Sequence, residues 1–336
     1  MGQLTIVTKS RLWLALLVIA AGAALGTAAR AGGARRLPAV PVPAHGAYLG
    51  AYVSYGSSWP GRRGALATVR RFERGIGRRL AIDNHFYGWA QPFPTGLEAG
   101  DVAAGRIPML TWKAPRLDAI LDGSQDSLIL ERARAVRRFR SPIFIRWAWE
   151  MNGGWMTWGG LNNETPGRHD GAQRYVLAWR HVHDLFARVG ATNVSWVWAP
   201  NSESVPATPW NSIAAYYPGN AYVDWVGFSA YNWGTSRSWS NWSSFRTLVS
   251  AMYAHWSARK PLMVAETSSV GSAAEKARWL SGATSALGHA FPRLKAVVLF
   301  QSPPAWMLTS PPPALRALRT LAHAPALSPL VSDSGN

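Results

Sequence analysis

The chain has no cysteine, which excludes disulfides, thiolate metal sites, a cysteine nucleophile and the lipidated cysteine of a bacterial lipoprotein. Stability has to come from packing. Acidic residues are scarce, 17 against 35 lysines and arginines, for a formal net charge of +18. Such a balance attracts polyanions. The arginines are scattered, however, and no basic run alternates with aromatics, so no nucleic-acid partner is expected, while an anionic glycan or cell wall stays in play. No glycine-rich phosphate loop follows the first strand-like run, which argues against a nucleotide cofactor. His181 and His183 lie two apart on a helical stretch and face different sides, so they make no metal pair. Neither a cofactor nor a metal is expected, and there is no internal repeat.

What is present is apolar and aromatic. Of 336 residues, 48% are hydrophobic and 15% charged, enough for one large domain with a sizeable core. The 19 tryptophans exceed what such a core needs, and aromatic faces are suited to the apolar faces of sugar rings. Lys9 and Arg11 precede an apolar run from Leu12 to Ala29, and Ala29-Arg30-Ala31 has the small-x-small form of a cleavage site. Residues 1–31 therefore read as a signal peptide or, uncleaved, as an N-terminal membrane anchor. Either places the domain outside the cytoplasm, secreted or held at the cell surface, and a monomer is expected. Residues 32–45 read as a linker, 46–323 as the folded domain and 324–336 as a flexible tail.

Within the domain, short apolar runs alternate with longer amphipathic stretches, the pattern of a parallel sheet with crossover helices. Eight strands are expected near Ala47–Ser54, Leu80–His85, Ile107–Trp112, Pro142–Trp147, Asn193–Ala199, Val223–Ala230, Pro261–Glu266 and Leu294–Phe300. Helices are expected over Leu66–Ile76, Ser127–Phe139, Ala172–Val189, Asn241–Ser257, Ala273–Leu287 and Pro313–Leu321. Eight such units close into an α/β fold, a single-domain (β/α)8 TIM barrel, whose chemistry sits at the C-terminal ends of the strands.

Only two carboxylates end apolar strand runs: Glu150 after the fourth and Glu266 after the seventh. Retaining hydrolysis of a glycosidic bond needs two carboxyls about 5–5.5 Å apart, one protonated and one ionised. Arg146 is placed to keep one ionised while aromatic surroundings raise the other. Taken alone, either glutamate could equally just pair with an arginine. A serine hydrolase is not supported, because Gly227-Phe228-Ser229-Ala230-Tyr231 lacks the last glycine of the nucleophile elbow.

Arg146-Trp147-Ala148-Trp149-Glu150-Met151-Asn152-Gly153-Gly154-Trp155 resembles the R-x-x-H-E-M-N-G-x-W signature of glycoside hydrolase family 26. Trp196 to Asn201, Tyr217-Pro218-Gly219, Tyr222 to Gly227, Tyr231 and Glu266-Thr267 extend the likeness, which runs from about Gly50 to Trp306. The resemblance implies a barrel with Glu150 as acid/base and Glu266 as nucleophile, Tyr231 bonded to the nucleophile, and Trp155 and Trp306 beside the scissile bond. Arg146, Trp149, Asn152, Trp198 and Trp233 join them as expected substrate-binding residues, with Trp112, Trp147, Trp158 and Gln301 as further strand-end candidates. Two departures bear on specificity: Trp149 stands where the family usually has His, and Ser229 where it often has Asp. The implied activity is retaining cleavage of a β-mannan, β-glucan or related exopolysaccharide. A transglycosylase using the same residues and a non-catalytic glycan-binding barrel remain open.

Overall fold

The structure, a computed structural model, describes residues 37–327. Eight strands, β1 (Tyr48–Val53), β2 (Ile82–Tyr87), β3 (Ile107–Trp112), β4 (Ile143–Trp147), β5 (Val194–Trp198), β6 (Trp225–Asn232), β7 (Leu262–Ser269) and β8 (Leu294–Gln301), pair in sequence order and close into a barrel. All pairings are parallel, including β8 back onto β1. Helices α1 (Gly61–Ile76), α2 (Gly96–Ala103), α3 (Leu117–Leu121), α4 (Asp126–Phe139), α5 (Gly171–Arg188), α6 (Phe245–Trp256), α7 (Ala273–His289) and α8 (Pro312–Ala322) surround it. The connection from β5 to β6 uses two short 3-10 turns instead of a helix. The expected (β/α)8 barrel is thus borne out.

Each strand is buried on both faces, so its alternate side chains fill the barrel and pack the helices. Arg146 and Phe144 of β4 point inward, Phe144 against Trp225. Trp147, one residue on, points outward against Tyr175 and Trp179 of α5. The same parity sends Trp196 and Trp198 of β5 outward, onto Phe186 of α5 and Trp256 of α6. Trp112, Trp147, Trp179, Trp198, Trp225 and Trp256 are all fully buried, so much of the tryptophan content serves the core, contrary to the expectation from composition. Two helices are fixed by reciprocal caps, Thr95 with Glu98 on α2 and Ser272 with Glu275 on α7.

The expected linker is packed where it is described. Leu37 donates its N–H to Thr192 Oγ1 at 2.8 Å and Val40 to Ser195 Oγ at 3.0 Å, across the N-terminal end of β5. At the other terminus Leu327 is fully buried and Ala326 accepts from the Ala47 N–H at 2.8 Å, so packed chain continues past residue 323. The export or anchor segment lies outside the described residues. Among those described, no helix is long and apolar enough to cross a membrane.

Candidate active site

Two backbone irregularities aim the two glutamates. After β4 the chain enters the left-handed region at Ala148 (φ 46°) and again at Glu150 (φ 54°), a conformation that non-glycine residues adopt at a cost of about 1–3 kcal/mol. Glu150 is tied there by its N–H to the Ala199 carbonyl at 2.8 Å. Inward Gly227 of β6 lies against Ala265, which is therefore inward too, and strict alternation would turn Glu266 out toward the helices. A bulge prevents this. Pairing with β6 steps from Phe228–Val264 to Ser229–Glu266, and pairing with β8 skips over the same place. The extra residue lets Glu266 follow Ala265 into the mouth.

There the glutamates sit in unequal surroundings. Arg146, wholly buried beneath the mouth, gives Nη1 to Glu266 Oε2 and Nη2 to Ser229 Oγ. The Tyr231 hydroxyl donates to the other oxygen of Glu266. Glu266 is thus held by a cation and a neutral donor, the arrangement that suits an ionised carboxylate. Burial pushes Glu150 above the usual carboxylate range, and the nearby charge of Glu266 pushes it further. Arg146, Ser229 and the Trp155 Nε1–H, which donates to Glu150 Oε2 at 2.8 Å, pull it part of the way back. Burial and Glu266 also keep Tyr231 protonated. The Trp155 ring lies directly over Gly153, where any Cβ would collide with it. Retaining glycoside cleavage needs one carboxyl that keeps its proton and one that is ionised, and two carboxyls in such unequal surroundings can supply that pair.

Of the expected substrate-binding residues, Arg146, Trp155, Tyr231, Trp233 and Trp306 gather at this mouth. Tyr231 lies 4.8 Å from Trp306, and Trp233 4.7 Å from it. Trp149 is buried between Phe86 and Trp158, with the Arg146 guanidinium 5.5 Å from its ring, so it builds the floor. Two expectations are corrected. Trp198 is fully buried behind the barrel against Tyr217 and Trp256. Asn152 is buried and its amide is used within the protein, donating to the Asn201 carbonyl at 2.9 Å and accepting the Asn201 N–H at 2.8 Å. Trp112, Trp147 and Trp158 are likewise interior, and buried Gln301 accepts the Leu308 N–H at 3.0 Å.

Sequence reasoning missed Tyr52, Phe86 and Phe300, whose rings line the mouth at the ends of β1, β2 and β8. Tyr52 stacks on Phe300 at 5.1 Å and meets Phe86 edge-on at 4.8 Å. Their signal was position: each is the last inward side chain of its strand, one place short of the strand's end.

A second buried cluster lies on the outer side of β2. His85 shares a proton with Asp101 at 2.7 Å, and Arg106 bonds Asp101 at 2.9 Å and Glu73 at 3.2 Å. Asp83 completes it, with Arg106 Nε at 3.7 Å. Burial lowers the affinity of His85 for its proton, but Asp83 and Asp101 outweigh that and raise its pKa to about 9. Burial raises the Asp83 carboxyl above the usual range, and the charges of His85 and Arg106 work against that rise. Asp83, His85 and Asp101 offer ligand atoms within 4.8 Å of one another, but the cations already occupy Asp101. The cluster ties α1 and α2 to β2.

Residues 116–263 match the model of the family described as "Glycosyl hydrolase family 26". Endoglucanase H of Acetivibrio thermocellus is 32% identical over 281 residues, 81% of this chain and 31% of that protein. Beta-1,3-xylanase TXYA of Vibrio sp is 29% identical over 155 residues, 44% of this chain and 28% of that protein. The chain spans about a third of the length of these relatives. Among solved structures, the catalytic domain of the Bacillus sp. JAMB-750 endo-beta-1,4-mannanase superposes with a TM-score of 0.65 at 16% identity, covering 86% of this chain and 89% of that one; this likeness shows the fold.

Proposed function

The chain belongs to glycosyl hydrolase family 26, and from that premise we propose that it hydrolyses a β-linked polysaccharide with retention of configuration, Glu150 serving as acid/base and Glu266 as nucleophile. The observation that carries the reading is the unequal treatment of the two carboxyls: Glu266 held by Arg146 and Tyr231, Glu150 raised by burial and by Glu266. Protonated Glu150 gives its proton to the glycosidic oxygen as Glu266 attacks the anomeric carbon. A covalent glycosyl-enzyme forms through an oxocarbenium-like transition state. Once Glu266 is esterified its charge is gone, which removes one of the causes holding the Glu150 proton. Glu150, now ionised, takes the proton of the incoming water. Two inversions give retention.

The names of the two relatives given above point to β-glucans and β-xylans as first substrates to try. Trp149 in place of a histidine and Ser229 in place of an aspartate leave fewer polar groups at the mouth for an axial hydroxyl, which weighs against β-mannan. In this reading the domain works outside the cytoplasm, where the basic residues and apolar run before Ala31 deliver it and where polymeric glycan is met.

The test is chemical rescue on a panel of β-glucans, β-xylans and β-mannan. Glu266→Ala should be inactive and regain turnover with azide, giving the α-glycosyl azide; Glu150→Ala with azide should give the β-anomer. Folded variants that form no azide adduct on a substrate the native protein cleaves would overturn the assignment.

A further inference from the structure

Among the described residues three tryptophans have more than half their surface in water: Trp59 at 59%, Trp155 at 51% and Trp239 at 68%. All three stand on loops leaving the C-terminal ends of strands, after β1, β4 and β6. A tryptophan exposes about 150–250 Å² of largely apolar surface, which water disfavours. Three of them around one rim, with none so exposed on the opposite end of the barrel, mark a surface built to be covered.

The Trp155 ring is already accounted for by its bond to Glu150. Trp59 and Trp239 are not, and each is joined to the catalytic centre by an unbroken trail of rings. Trp59 stands edge-on to Tyr55 at 5.2 Å, Tyr55 to Tyr52 at 6.5 Å, and Tyr52 stacks on Phe300, which lies 5.8 Å from Tyr231. Trp239 stands edge-on to Trp233 at 5.5 Å, and Trp233 and Trp306 lead back to Tyr231. Edge-on support fixes a ring while leaving a face open. The barrel order then places them. The strands that carry Glu150 and Glu266, β4 and β7, divide the ring into two arcs, β5–β6 on one side and β8–β1–β2–β3 on the other. Trp239 rises from one arc and Trp59 from the other.

We propose that Trp59 and Trp239 are the outer sugar platforms of a cleft that crosses the barrel mouth between Glu150 and Glu266, each stacking on a pyranose of the β-linked chain away from the scissile bond. The proposal rests on the hydrolase reading above. A chain threaded between the two carboxyls has to leave over both arcs, and on each it meets an exposed indole face.

The experiment titrates the full-length Glu266→Ala variant with β-gluco- and β-xylo-oligosaccharides of increasing length, by calorimetry and tryptophan fluorescence, alone and combined with Trp59→Ala or Trp239→Ala. Affinity should rise with length in the parent. Each tryptophan substitution should weaken the longest oligomers about tenfold and both together about a hundredfold, with disaccharides unaffected. Melting temperatures should not change, since both rings are exposed. Length-dependent binding that neither substitution alters would overturn this proposal alone. A parent that binds none of the oligomers, together with a native protein that releases no sugar, would overturn it along with the hydrolase reading.

Discussion

Arg146→Lys is the sharpest perturbation of the site. The guanidinium has no exposed surface and uses its two terminal nitrogens on different partners, Glu266 and Ser229. Lysine keeps the charge, so Glu266 is not left facing an empty, uncompensated space, but its single ammonium head cannot span both acceptors. One hydrogen bond involving a charged group is lost, worth about 1.5–3 kcal/mol, or roughly ten- to 150-fold in kcat/KM. Arg146 lies beneath the mouth and acts through Glu266, so the loss should fall on kcat and leave KM nearly unchanged. It should also be the same for polymer and for an aryl glycoside with a good leaving group, because under the proposed mechanism both reactions need Glu266 to attack. Glu150→Gln differs, since the activated glycoside needs no proton and should be largely spared at the first step. Initial rates on both substrates, with a melting curve for each variant, decide the matter. A folded Arg146→Lys within about threefold of native, or one that loses activity only on the polymer, would refute the role given to this residue.

Two further outcomes concern protons. Glu266→Gln removes the negative charge that helps raise Glu150 while leaving its burial, so the Glu150 carboxyl should titrate at lower pH than in the native protein, read from its infrared or carbon-13 signal; an unchanged or higher midpoint would remove Glu266 as a cause. His85 is held protonated up to about 9 against an ordinary 6.5, so it contributes stability that is fully present below about 6.5 and lost as pH rises through about 9. The contribution is up to about 3 kcal/mol, and the native advantage over His85→Gln in urea unfolding should shrink between those limits; a constant difference would refute it.

The barrel was legible because strands buried on both faces read as continuous apolar runs, and β3 falls on the expected Ile107–Trp112. Glu150 and Glu266 were legible as the acids ending such runs. Their aim was not, because it depends on the left-handed turn at Ala148 and Glu150 and on the bulge at Ala265, neither of which alternation reveals. Counting from Met263, Glu266 even falls on the wrong face. Trp198 misled for the opposite reason: its place at a strand end suggested the mouth, while its parity sends it to the helices. Asn152 was judged by its neighbourhood, and only the loop geometry shows that its amide is already occupied. Helix α2 was missed as short, although Thr95 and Glu98 at capping-box spacing announced it.

The depth of Arg146 separates two electrostatic regimes within one molecule. The formal net charge is +18, and among the described residues all lysine and arginine side chains except Arg106, Arg132, Arg146 and Lys276 touch solvent, where counterions at about 0.15 M ionic strength damp interactions beyond about 8 Å. The Arg146–Glu266 contact, sealed beneath the mouth, is beyond their reach. Rising salt should therefore weaken any hold that acidic matter has on the protein while leaving the pairing of Arg146 with Glu266 intact, so that in brine the surface would be loosened and the site unchanged.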